Sequence, residues 1–515
     1  MPDASGLSHT ITSDIAASGS ATWIGLFQER VRMNPDAAAL DHGGTLTSYG
    51  TLMERARRLG GVFKAHGLER GDRVAILSEN CPEFVEAEIA AALTGTILAC
   101  QNWRLAVPEL QHCISLVEPK LVLVSRANRE KLDQVDCGGA PVVQIGEELE
   151  AAIDAADPAD PDPALDPEDG MLILYTSGTT GLPKGALISQ RAEVNRMAAN
   201  LADLVWRTGD AFVSWAPMFH MGSTDQQLAT LLAGGTVIVI DGLNPGELCR
   251  ALETYRMGHF VMLPGAYEAF LDHVRARGGL TVKGVGCCGA MADLVPRQHI
   301  LELMELLDAP FVNSFGSTET GIPPCSAALI WPETVHDPLS KRQSSLCQLR
   351  LLDPDRNDVP DGEPGEVAVR GPTIFSGYWN APETNAKDFK DGWFRLGDLF
   401  RRNPDRTYDF VDRAKYMIKS GGENIYPAEI ERVLLADARI ADAIIVKAKD
   451  ERWSEVPVAF VAKEDDALTE ADVMNLCRAN LAGYKRPREV RFINVDDLPR
   501  STSGKIQRHL MEEWV

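Results

Sequence analysis

Residues 175–185 read Tyr-Thr-Ser-Gly-Thr-Thr-Gly-Leu-Pro-Lys-Gly and follow directly on the apolar run 171–174. The segment combines three glycines, four serine or threonine hydroxyls and one lysine. Glycine lets the backbone approach an anion closely, hydroxyls donate hydrogen bonds to phosphate oxygens, and Lys184 adds a mobile positive charge. The pattern predicts a buried strand followed by a loop that binds a triphosphate.

The spacing within this segment differs from that of a P-loop. A P-loop has the pattern GxxxxGK[ST], whereas Lys184 lies three residues after Gly181 and is followed by Gly185. A P-loop NTPase is therefore disfavoured. A flexible surface loop would explain the composition but not this density of phosphate-binding residues.

Outward from the loop, apolar runs suited to strands alternate with helical patterns, which favours a layered α/β fold. The predicted strands are 72–77, 121–124, 171–175, 236–240 and 310–313. The predicted helices are 47–67, 83–93, 190–205 and 297–307. Residues 155–170, rich in aspartate and proline, predict a loop. Residues 346–400 predict a β-rich subdomain. The segment after residue 413, about a hundred residues long, suffices for a small α+β domain.

The composition is that of a folded protein with an acidic surface. Of 515 residues, 45% are hydrophobic and 24% are charged, which excludes wholesale disorder. Lysine and arginine total 51 against 74 aspartates and glutamates, so the formal net charge of −23 opposes binding to nucleic acid and to anionic membranes. A polyanionic ligand therefore needs donors that are concentrated on loops and helix N-termini.

The cysteines and the N-terminus indicate where the protein resides. The ten cysteines include no CxxC pair, which argues against a metal site and a disulfide framework. Residues 1–14 lack the basic start and apolar core of a secretion signal, and no run is long enough to span a bilayer. We expect a cytoplasmic protein with free thiols; whether it forms a homo-oligomer stays open.

Segment 175–185 resembles the phosphate loop of the adenylate-forming superfamily, which includes acyl-CoA synthetases, peptide-synthetase adenylation domains and luciferases. Further blocks follow in the family's order, so the resemblance covers nearly the whole chain. It implies an enzyme that uses ATP and Mg²⁺ to convert a carboxylic acid into an acyl-adenylate and pyrophosphate. The acyl group then passes to coenzyme A, which gives acyl-CoA and AMP.

A second block, 313–321, resembles the family's adenine and Mg²⁺ block. By this resemblance Phe315 stacks on adenine and Asn313 hydrogen-bonds the exocyclic amine of the base. Thr318 contacts the α-phosphate, and Glu319 holds Mg²⁺ with Thr176. Without its flanks, Glu319 would be read as a solvated loop carboxylate. The other implied nucleotide-binding residues are Ser177, Gly178, Thr179, Thr180, Gly181, Lys184, Gly289, Ala290, Ser314, Gly316, Ser317, Asp398, Arg413 and Lys505.

Residues 393–399 resemble the block whose aspartate, here Asp398, accepts hydrogen bonds from both ribose hydroxyls. Arg413 resembles the second ribose contact. Lys415 occupies the family's hinge position, although an exposed linker lysine is the alternative. The resemblance implies a large N-terminal domain (1–411), a hinge (412–415) and a small mobile C-terminal domain (416–515). Relatives usually have an acidic residue at the position of Tyr416.

Residues 419–427 resemble the loop that lines the pantetheine tunnel. Two aromatic residues and an arginine lie where short-chain and aryl-CoA ligases contact the nucleotide of coenzyme A. Ser454 stands where many relatives have glycine. The implied coenzyme A set is Lys419, Ser420, Gly421, Gly422, Glu423, Trp453, Tyr484 and Arg486.

Residues 499–506 resemble the block that contains the adenylation lysine, here Lys505, although a lysine so near the C-terminus would otherwise be read as solvated. His220 resembles the histidine beside the path by which the carboxylate and the thiol enter; a structural histidine is the alternative. The implied catalytic set is Lys505, Glu319, His220 and Thr176.

Amino-acid-activating relatives generally have an aspartate where this chain has His220, which disfavours an α-amino acid. The implied acid pocket has an apolar wall with few polar groups, suited to an aromatic, cyclic or medium-chain acid. Its members are His220, Met221, Ser223, Met262, Pro264, Gly265, Cys288, Gly289 and Gly321. Spacing does not identify the acid.

Three other functions share these motifs. An acyl-AMP ligase would use the same first step and Lys505 but would load a separate carrier protein. A luciferase-like oxygenase would differ in its substrate and pocket. A non-catalytic acyl-adenylate-binding protein would tolerate loss of Lys505 or Glu319, and this chain retains both.

Overall fold

A computed structural model describes residues 21–176, 182–420, 423–500 and 506–515. The chain forms two compact units. The first comprises residues up to 348 together with 370–387, and the second comprises 349–369 together with 388–515. The second unit thus includes strands between residues 349 and 411, although these residues were predicted to belong to the large N-terminal domain. The functional division at 411–415 stays a prediction.

The first unit alternates strands with helices as predicted. Its helices are α1 (Trp23–Met33), α2 (Tyr49–Ala65), α3 (Pro82–Thr94), α4 (Val107–Val117), α5 (Arg129–Leu132), α6 (Glu147–Ala155), α7 (Gln190–Asp203), α8 (Met221–Leu232), α9 (Pro245–Thr254), α10 (Tyr267–Ala276), α11 (Arg297–Leu307) and α12 (Pro382–Asp388). Its strands are β1 (Ala38–His42), β2 (Thr45–Ser48), β3 (Arg73–Leu77), β4 (Ile97–Cys100), β5 (Leu121–Val124), β6 (Val142–Gln144), β7 (Gly170–Thr176), β8 (Lys184–Ser189), β9 (Phe212–Ser214), β10 (Val237–Val239), β11 (Met257–Phe260), β12 (Val285–Cys288), β13 (Phe311–Val312), β14 (Phe315–Ser317), β15 (Gly321–Cys325) and β16 (Leu329–Ile330).

A six-stranded sheet with the strand order β6-β5-β3-β4-β7-β8 holds the phosphate-loop segment. Its strands are parallel except for the antiparallel pair β7 and β8. The sequences RVAIL, ILAC and LVLV of β3, β4 and β5 are almost wholly buried, as expected for parallel strands covered on both faces. Helix α3 packs against β4 and β7.

Two four-stranded sheets, β2-β1-β10-β9 and β11-β12-β13-β16, complete the α/β layers of the first unit. Helices α10 and α11 connect β11, β12 and β13, which are parallel neighbours. A hydrophobic core lies around these strands and includes Met262, Phe270, Cys288 and Phe311. Strands β14 and β15 form a separate antiparallel pair. The layered α/β prediction is thereby confirmed.

The second unit contains two five-stranded sheets. Strands β17 to β21 form the first, and β22 to β26 form the second, which packs with α13 and α14 around a hydrophobic core. The elements are β17 (Gln348–Leu352), β18 (Pro364–Arg370), β19 (Phe389–Lys390), β20 (Trp393–Arg402), β21 (Tyr408–Arg413), β22 (Ile418–Ser420), β23 (Glu423–Ile425), α13 (Pro427–Leu434), β24 (Ile440–Asp450), β25 (Ser454–Lys463), α14 (Glu470–Asn480), β26 (Glu489–Ile493) and α15 (Arg508–Met511).

All ten cysteines are free thiols, and seven of them are buried. Burial raises the pKa of the Cys81 thiol to about 12, so this thiol is poorly nucleophilic at neutral pH. Throughout the described ranges, the helices are too short or too polar to cross a membrane.

Candidate active site

The phosphate-loop segment connects the two strands of an antiparallel hairpin. Strand β7 ends at Thr176, β8 begins at Lys184, and these two residues are register partners. The hairpin therefore brings the Thr176 hydroxyl and the Lys184 ammonium to the same end of the sheet. Five predicted phosphate ligands lie outside the described residues: Ser177, Gly178, Thr179, Thr180 and Gly181.

Tyr378 connects the phosphate-loop hairpin with the predicted Mg²⁺ ligand. Its hydroxyl donates a hydrogen bond of 2.8 Å to Glu319 Oε1. Lys184 Nζ lies 3.9 Å from the centre of the Tyr378 ring, within the range of a cation–π interaction. A positive charge and a carboxylate from two distant segments thus meet at one aromatic side chain.

Main-chain hydrogen bonds hold the segment around this tyrosine on two sides. The Leu187 N–H donates to the Gly377 carbonyl at 3.0 Å, and the Leu187 carbonyl accepts from the Ser376 N–H at 2.8 Å. The Phe375 N–H donates to the Glu319 carbonyl at 2.9 Å. The segment therefore joins β8 to the loop that contains Glu319.

Arg196, on α7, is a buried link between three elements, and only 1% of its surface is exposed. Its Nη1 donates to both carboxylate oxygens of Asp225 on α8, at 3.0 and 3.1 Å. Its Nη2 donates to the Thr318 carbonyl at 3.0 Å, and its Nε donates to the Thr373 carbonyl at 3.1 Å. One guanidinium therefore holds α8, the 313–321 block and the segment that precedes Tyr378.

Two buried carboxyl groups, those of Glu193 and Asp225, lie within ion-pair distance of this arginine, and a third, that of Glu88, interacts with both of them. Burial raises the pKa of each above its ordinary value, most strongly for the two glutamates, and Arg196 opposes the rise at Glu193 and Asp225. Gln227 Nε2 donates to Glu88 Oε2 at 2.7 Å. Buried charges are costly, and one guanidinium cannot compensate three neighbouring carboxylates, so this cluster favours the protonated form of the glutamates.

Asn313 is buried at the end of β13, and its side-chain amide has a partner at each end. Lys341 Nζ donates to Asn313 Oδ1 at 2.7 Å and to Asp293 Oδ2 at 2.6 Å. Asn313 Nδ2 donates to the Ser340 carbonyl at 3.2 Å. These bonds hold the predicted adenine-binding amide in one orientation.

A tight turn in the β14–β15 hairpin holds the rest of this block. The Ser317 N–H donates to Thr320 Oγ1 at 3.1 Å, and a Cβ added at Gly316 would approach the Gly321 carbonyl to 2.1 Å. Glycine is therefore required at position 316. Four of the predicted nucleotide-binding residues are half-buried here: Ser314, Phe315, Ser317 and Thr318.

Gly289 and Ala290 follow β12, and Gly289 has a left-handed φ of 75°. A Cβ there would lie 2.1 Å from the Phe311 ring. The Gly289 carbonyl accepts a hydrogen bond of 2.8 Å from Nε2 of the buried His259. Burial lowers the pKa of His259 from 6.5 to about 4. A neutral imidazole thus supports this part of the predicted nucleotide site.

In the second unit, the predicted ribose ligands are cross-strand neighbours. Asp398 on β20 and Arg413 on β21 are register partners, and Arg413 Nε lies 3.2 Å from Asp398 Oδ1. Asp398 is buried, whereas the arginine side chain is partly exposed. The two predicted ribose ligands therefore lie together within this unit.

The predicted hinge lysine is next to an aromatic contact. Lys415 Nζ lies 4.8 Å from the centre of the Tyr416 ring, and the Arg508 guanidinium lies 5.0 Å from the same ring. Tyr416 thus provides a cation–π surface where relatives have an acidic residue. Arg508 also donates to Glu431 Oε2 at 2.6 Å.

The predicted coenzyme A residues within the described ranges all belong to the second unit. Ser454 has a φ of 70°, in the left-handed region that favours glycine, which agrees with the glycine of many relatives. Arg486 Nε donates to the Leu481 carbonyl at 3.1 Å. Lys419, Glu423 and Tyr484 are exposed, Trp453 is half-buried and Ser420 is buried. Gly421, Gly422 and Lys505 lie outside the described residues.

Two protein-family models match this chain. The model described as "AMP-binding enzyme" matches residues 27–379, and the model described as "AMP-binding enzyme C-terminal domain" matches residues 429–505. The chain belongs to the AMP-binding enzyme family. The phosphate-loop hairpin and the 313–321 block lie inside the first match.

Two curated members of the AMP-binding family are similar over almost the whole chain. The feruloyl-CoA synthase of an Amycolatopsis species is 35% identical over 486 residues, 93% of this chain and 96% of that protein. The indoleacetate–CoA ligase of Aromatoleum aromaticum is 36% identical over 484 residues, 91% and 93% of the two chains. The crystal structure of ATP-bound MatB from Rhodopseudomonas palustris has a TM-score of 0.80 and 25% identity, and the match covers 95% of this chain and 98% of that one.

These similarities confirm the predicted enzyme class and fold. The chain is an AMP-forming acid–thiol ligase, an acyl-CoA synthetase of the AMP-binding family. It has the α/β fold of the adenylate-forming CoA synthetases, with a large N-terminal and a small C-terminal domain. The individual residue roles stay predictions.

The predicted acid-pocket residues of this AMP-binding enzyme differ in exposure. Ser223, Met262 and Cys288 have no exposed surface, and the last two belong to the hydrophobic core. His220 is the N-cap of α8, where its Nδ1 accepts a hydrogen bond of 3.2 Å from the Gly222 N–H. This contact supports the structural alternative for His220, and its role beside the substrate stays a prediction.

Four supporting residues were not found from the sequence: Arg196, His259, Lys341 and Tyr378. Each contacts a predicted nucleotide-site residue, and none of the four lies in a segment that carries the family resemblance. Residues 377–379, Gly-Tyr-Trp, place two adjacent aromatic side chains after a glycine, and this cluster is the signal in the sequence that could have pointed to Tyr378. The other three became apparent only through their contacts.

Lowering the pH from 7 to 4 is expected to destabilise the wild type by about 3 kcal/mol more than a His259→Gln variant. Below pH 6.5 the unfolded histidine binds a proton that the folded one, with a pKa of about 4, does not. Glutamine still offers an N–H to the Gly289 carbonyl. Urea unfolding of both proteins at pH 7, 5.5 and 4 measures the difference, and parallel pH curves would contradict it.

Proposed function

We propose that this ligase activates an aromatic, cyclic or medium-chain carboxylic acid, with an aryl acid as the first candidate. The names of the two curated relatives, for feruloyl-CoA and for indoleacetate, support an aryl acid. The observation on which the mechanism most depends is that Tyr378 contacts both Glu319 and Lys184. That contact brings a phosphate-binding cation and a metal-binding carboxylate to one place.

In the first step, a carboxylate oxygen of the acid attacks the α-phosphorus of ATP and pyrophosphate leaves. Lys184 and the phosphate loop bind the leaving phosphates, and Thr318 contacts the α-phosphate. Lys505 neutralises the charge that develops during the attack. Electrostatic stabilisation of this kind often contributes more to catalysis than any other single effect.

Glu319 and Thr176 are the proposed protein ligands of Mg²⁺. Among the described residues, no group of three His, Cys, Asp or Glu side chains could hold a metal ion. Mg²⁺ keeps several waters and binds through one or two carboxylates together with substrate phosphates, so one glutamate and one hydroxyl are a sufficient protein ligand set. When bound, the ion reduces the repulsion between the reacting anions.

The base and the sugar of the nucleotide have separate proposed ligands. Phe315 stacks on adenine, and Asn313 accepts a hydrogen bond from its exocyclic amine. Asp398 accepts hydrogen bonds from the ribose hydroxyls, with Arg413 as the second contact. The half-buried Phe315 and the buried, oriented amide of Asn313 support these roles.

In the second step, the thiol of coenzyme A attacks the acyl carbon and AMP leaves. Pyrophosphate release and thiol binding make different demands on one site, so we propose that residues 416–515 move about a hinge at Lys415 between the steps. The proposed coenzyme A ligands are Lys419, Ser420, Gly421, Gly422, Glu423, Trp453, Tyr484 and Arg486. Free thiols support a reducing location such as the cytoplasm.

Pyrophosphate release with ATP, Mg²⁺ and a panel of aryl, cyclic and aliphatic acids tests this proposal. We expect acid-dependent release with thioester only when coenzyme A is present, and a loss of about 10²-fold in Lys505→Ala. Lys463→Ala is the control, because this lysine belongs to none of the proposed binding or catalytic sets. Its Nζ lies 3.9 Å from the centre of the Phe492 ring on the neighbouring strand β26. This control should keep the wild-type rate.

Each other outcome has a defined meaning. Pyrophosphate release that does not depend on any acid would contradict the proposed ligase reaction. An unchanged rate of pyrophosphate release in Lys505→Ala would contradict the role of Lys505. Transfer to an acyl carrier protein but not to coenzyme A would favour the acyl-AMP ligase. Tight binding of acyl-adenylate without turnover would favour a binding protein.

A further inference from the structure

We infer that Lys341 makes the ligase selective for adenine over 6-oxopurines by fixing the side-chain amide of Asn313. The inference rests on the proposed function, in which Asn313 accepts a hydrogen bond from the exocyclic amine of adenine. Lys341 itself is not proposed to touch the nucleotide. It is a positioning residue for the group that reads the base.

Lys341 and Asn313 are both enclosed, with 1% and 3% of their surface exposed. A lysine is rarely buried so completely unless it is paired. The partners of Lys341 Nζ are Asp293 Oδ2 at 2.6 Å and Asn313 Oδ1 at 2.7 Å. The Asp293 side chain is 41% exposed, so it compensates the buried ammonium from the solvent side.

The two ends of the Asn313 amide each specify the same orientation. A lysine ammonium has donors and no acceptor, so the atom that faces Lys341 must be the amide oxygen. A main-chain carbonyl only accepts, so the atom that faces the Ser340 carbonyl, at 3.2 Å, must be the amide nitrogen. Rotating the amide by 180° would break both hydrogen bonds and set donor against donor at Lys341.

This fixed orientation determines from which base the amide oxygen can accept a hydrogen bond. A carbonyl oxygen has two lone pairs, and Lys341 occupies one of those on Oδ1. The other can accept a hydrogen bond from the 6-amino group of adenine. Guanine and hypoxanthine have a carbonyl at position 6, which would place two acceptors face to face. Such a mismatch of buried polar groups discriminates strongly between otherwise similar ligands.

Lys341 also joins two segments of the nucleotide site. Asp293 lies on the 3₁₀ turn Ala292–Leu294, which follows Gly289 and Ala290 closely. The same ammonium therefore positions the amide of the 313–321 block and the turn after β12. Removal of the hydrogen-bond donor at this point should affect base choice more than any other property of the site.

The test compares Lys341→Met with Lys341→Gln, which are similar in length and both uncharged. Acid-dependent pyrophosphate release gives kcat/KM for ATP and for ITP, whose base is hypoxanthine. In Lys341→Met the amide keeps its hydrogen bond to the Ser340 carbonyl but loses the stronger, charged partner at Oδ1, so the rotated orientation becomes more populated and the ATP-to-ITP ratio should fall by about tenfold or more. In Lys341→Gln the new amide can donate to Oδ1, so the ratio should stay within about threefold of wild type.

An ATP-to-ITP ratio that Lys341→Met leaves unchanged, whatever the overall rate, would overturn the inference. Asn313→Asp provides a second arm, because a carboxylate offers only acceptors in either orientation and should keep the preference for ATP. Loss of the preference there would equally overturn it. Calorimetric titration with AMP and IMP measures the same selectivity without turnover. Wild-type protein that binds AMP over IMP but releases no pyrophosphate would instead count against the proposed function.

Discussion

Replacing Glu319 by glutamine is expected to lower acid-dependent pyrophosphate release by about 10³-fold at fixed Mg²⁺. The substitution preserves the shape of the side chain but removes the negative charge that a hard cation needs. A metal ion contributes several kcal/mol to such a reaction, and each 1.36 kcal/mol corresponds to a factor of ten in rate. The rate is measured with saturating ATP and acid over a range of Mg²⁺ concentrations.

Tyr378→Phe is the matched control for this substitution. It removes the hydroxyl that donates to Glu319 Oε1 but keeps the carboxylate and the ring that contacts Lys184. Loss of one hydrogen bond to a charged group should cost a factor of about ten to a hundred in rate. A Glu319→Gln enzyme with the wild-type rate and Mg²⁺ dependence would contradict the assignment of the metal ligand.

Arg196→Met is expected to lower the free energy of unfolding of the ligase by about 3–5 kcal/mol. The substitution removes the buried partner of Asp225 and leaves the Thr318 and Thr373 carbonyls without their donor. Uncompensated burial of a carboxylate and of two main-chain acceptors is among the costliest effects of a point mutation. Urea unfolding at neutral pH measures the loss.

Arg191 on the same helix provides the control. Its ion pair with Glu168 spans 2.6 Å, and the Glu168 side chain is 62% exposed, so the pair should contribute at most about 1 kcal/mol. Arg191→Met also removes hydrogen bonds to the Pro372 and Ile374 carbonyls, yet it should cost clearly less than Arg196→Met. Equal losses in the two variants would contradict the special role of the buried pair. Partial recovery in the double variant Arg196→Met, Asp225→Leu would support it.

The sequence was informative wherever function depends on a short continuous pattern. Glycine, hydroxyl and lysine spacing predicted a strand followed by a phosphate loop, and β7 ends at Thr176 directly before that loop. The antiparallel pairing of β7 with β8 was not predicted. Hydrophobic periodicity predicted α3, α7 and α11 to within about two residues at each end. Helix α7 ends at Asp203, two residues before the predicted end. The side-chain carboxylate of this last residue accepts hydrogen bonds from Ser326, Ser344 and Ser345, which local periodicity does not reveal.

The supporting contacts of the site could not be predicted in this way. Lys341 lies 28 positions after Asn313, Tyr378 lies 59 after Glu319, and Arg196 lies 122 before Thr318. Such contacts depend on how separate sheets and helices pack, and no periodicity in the chain encodes that. Burial is equally invisible to spacing, so the sequence did not reveal that Met262 and Cys288 are fully buried in the hydrophobic core, and their place in the acid pocket stays a prediction.

Attack of a carboxylate oxygen of the acid on the α-phosphorus of ATP is tested most directly with an acid that carries ¹⁸O in both carboxylate oxygens. One labelled oxygen becomes the bridge of the acyl-adenylate, and attack by the thiol on the acyl carbon leaves it on AMP. We expect one ¹⁸O atom in each AMP and one in each thioester, measured by mass spectrometry after turnover with ATP and coenzyme A. Label in pyrophosphate or orthophosphate, or unlabelled AMP beside labelled thioester, would contradict the acyl-adenylate mechanism.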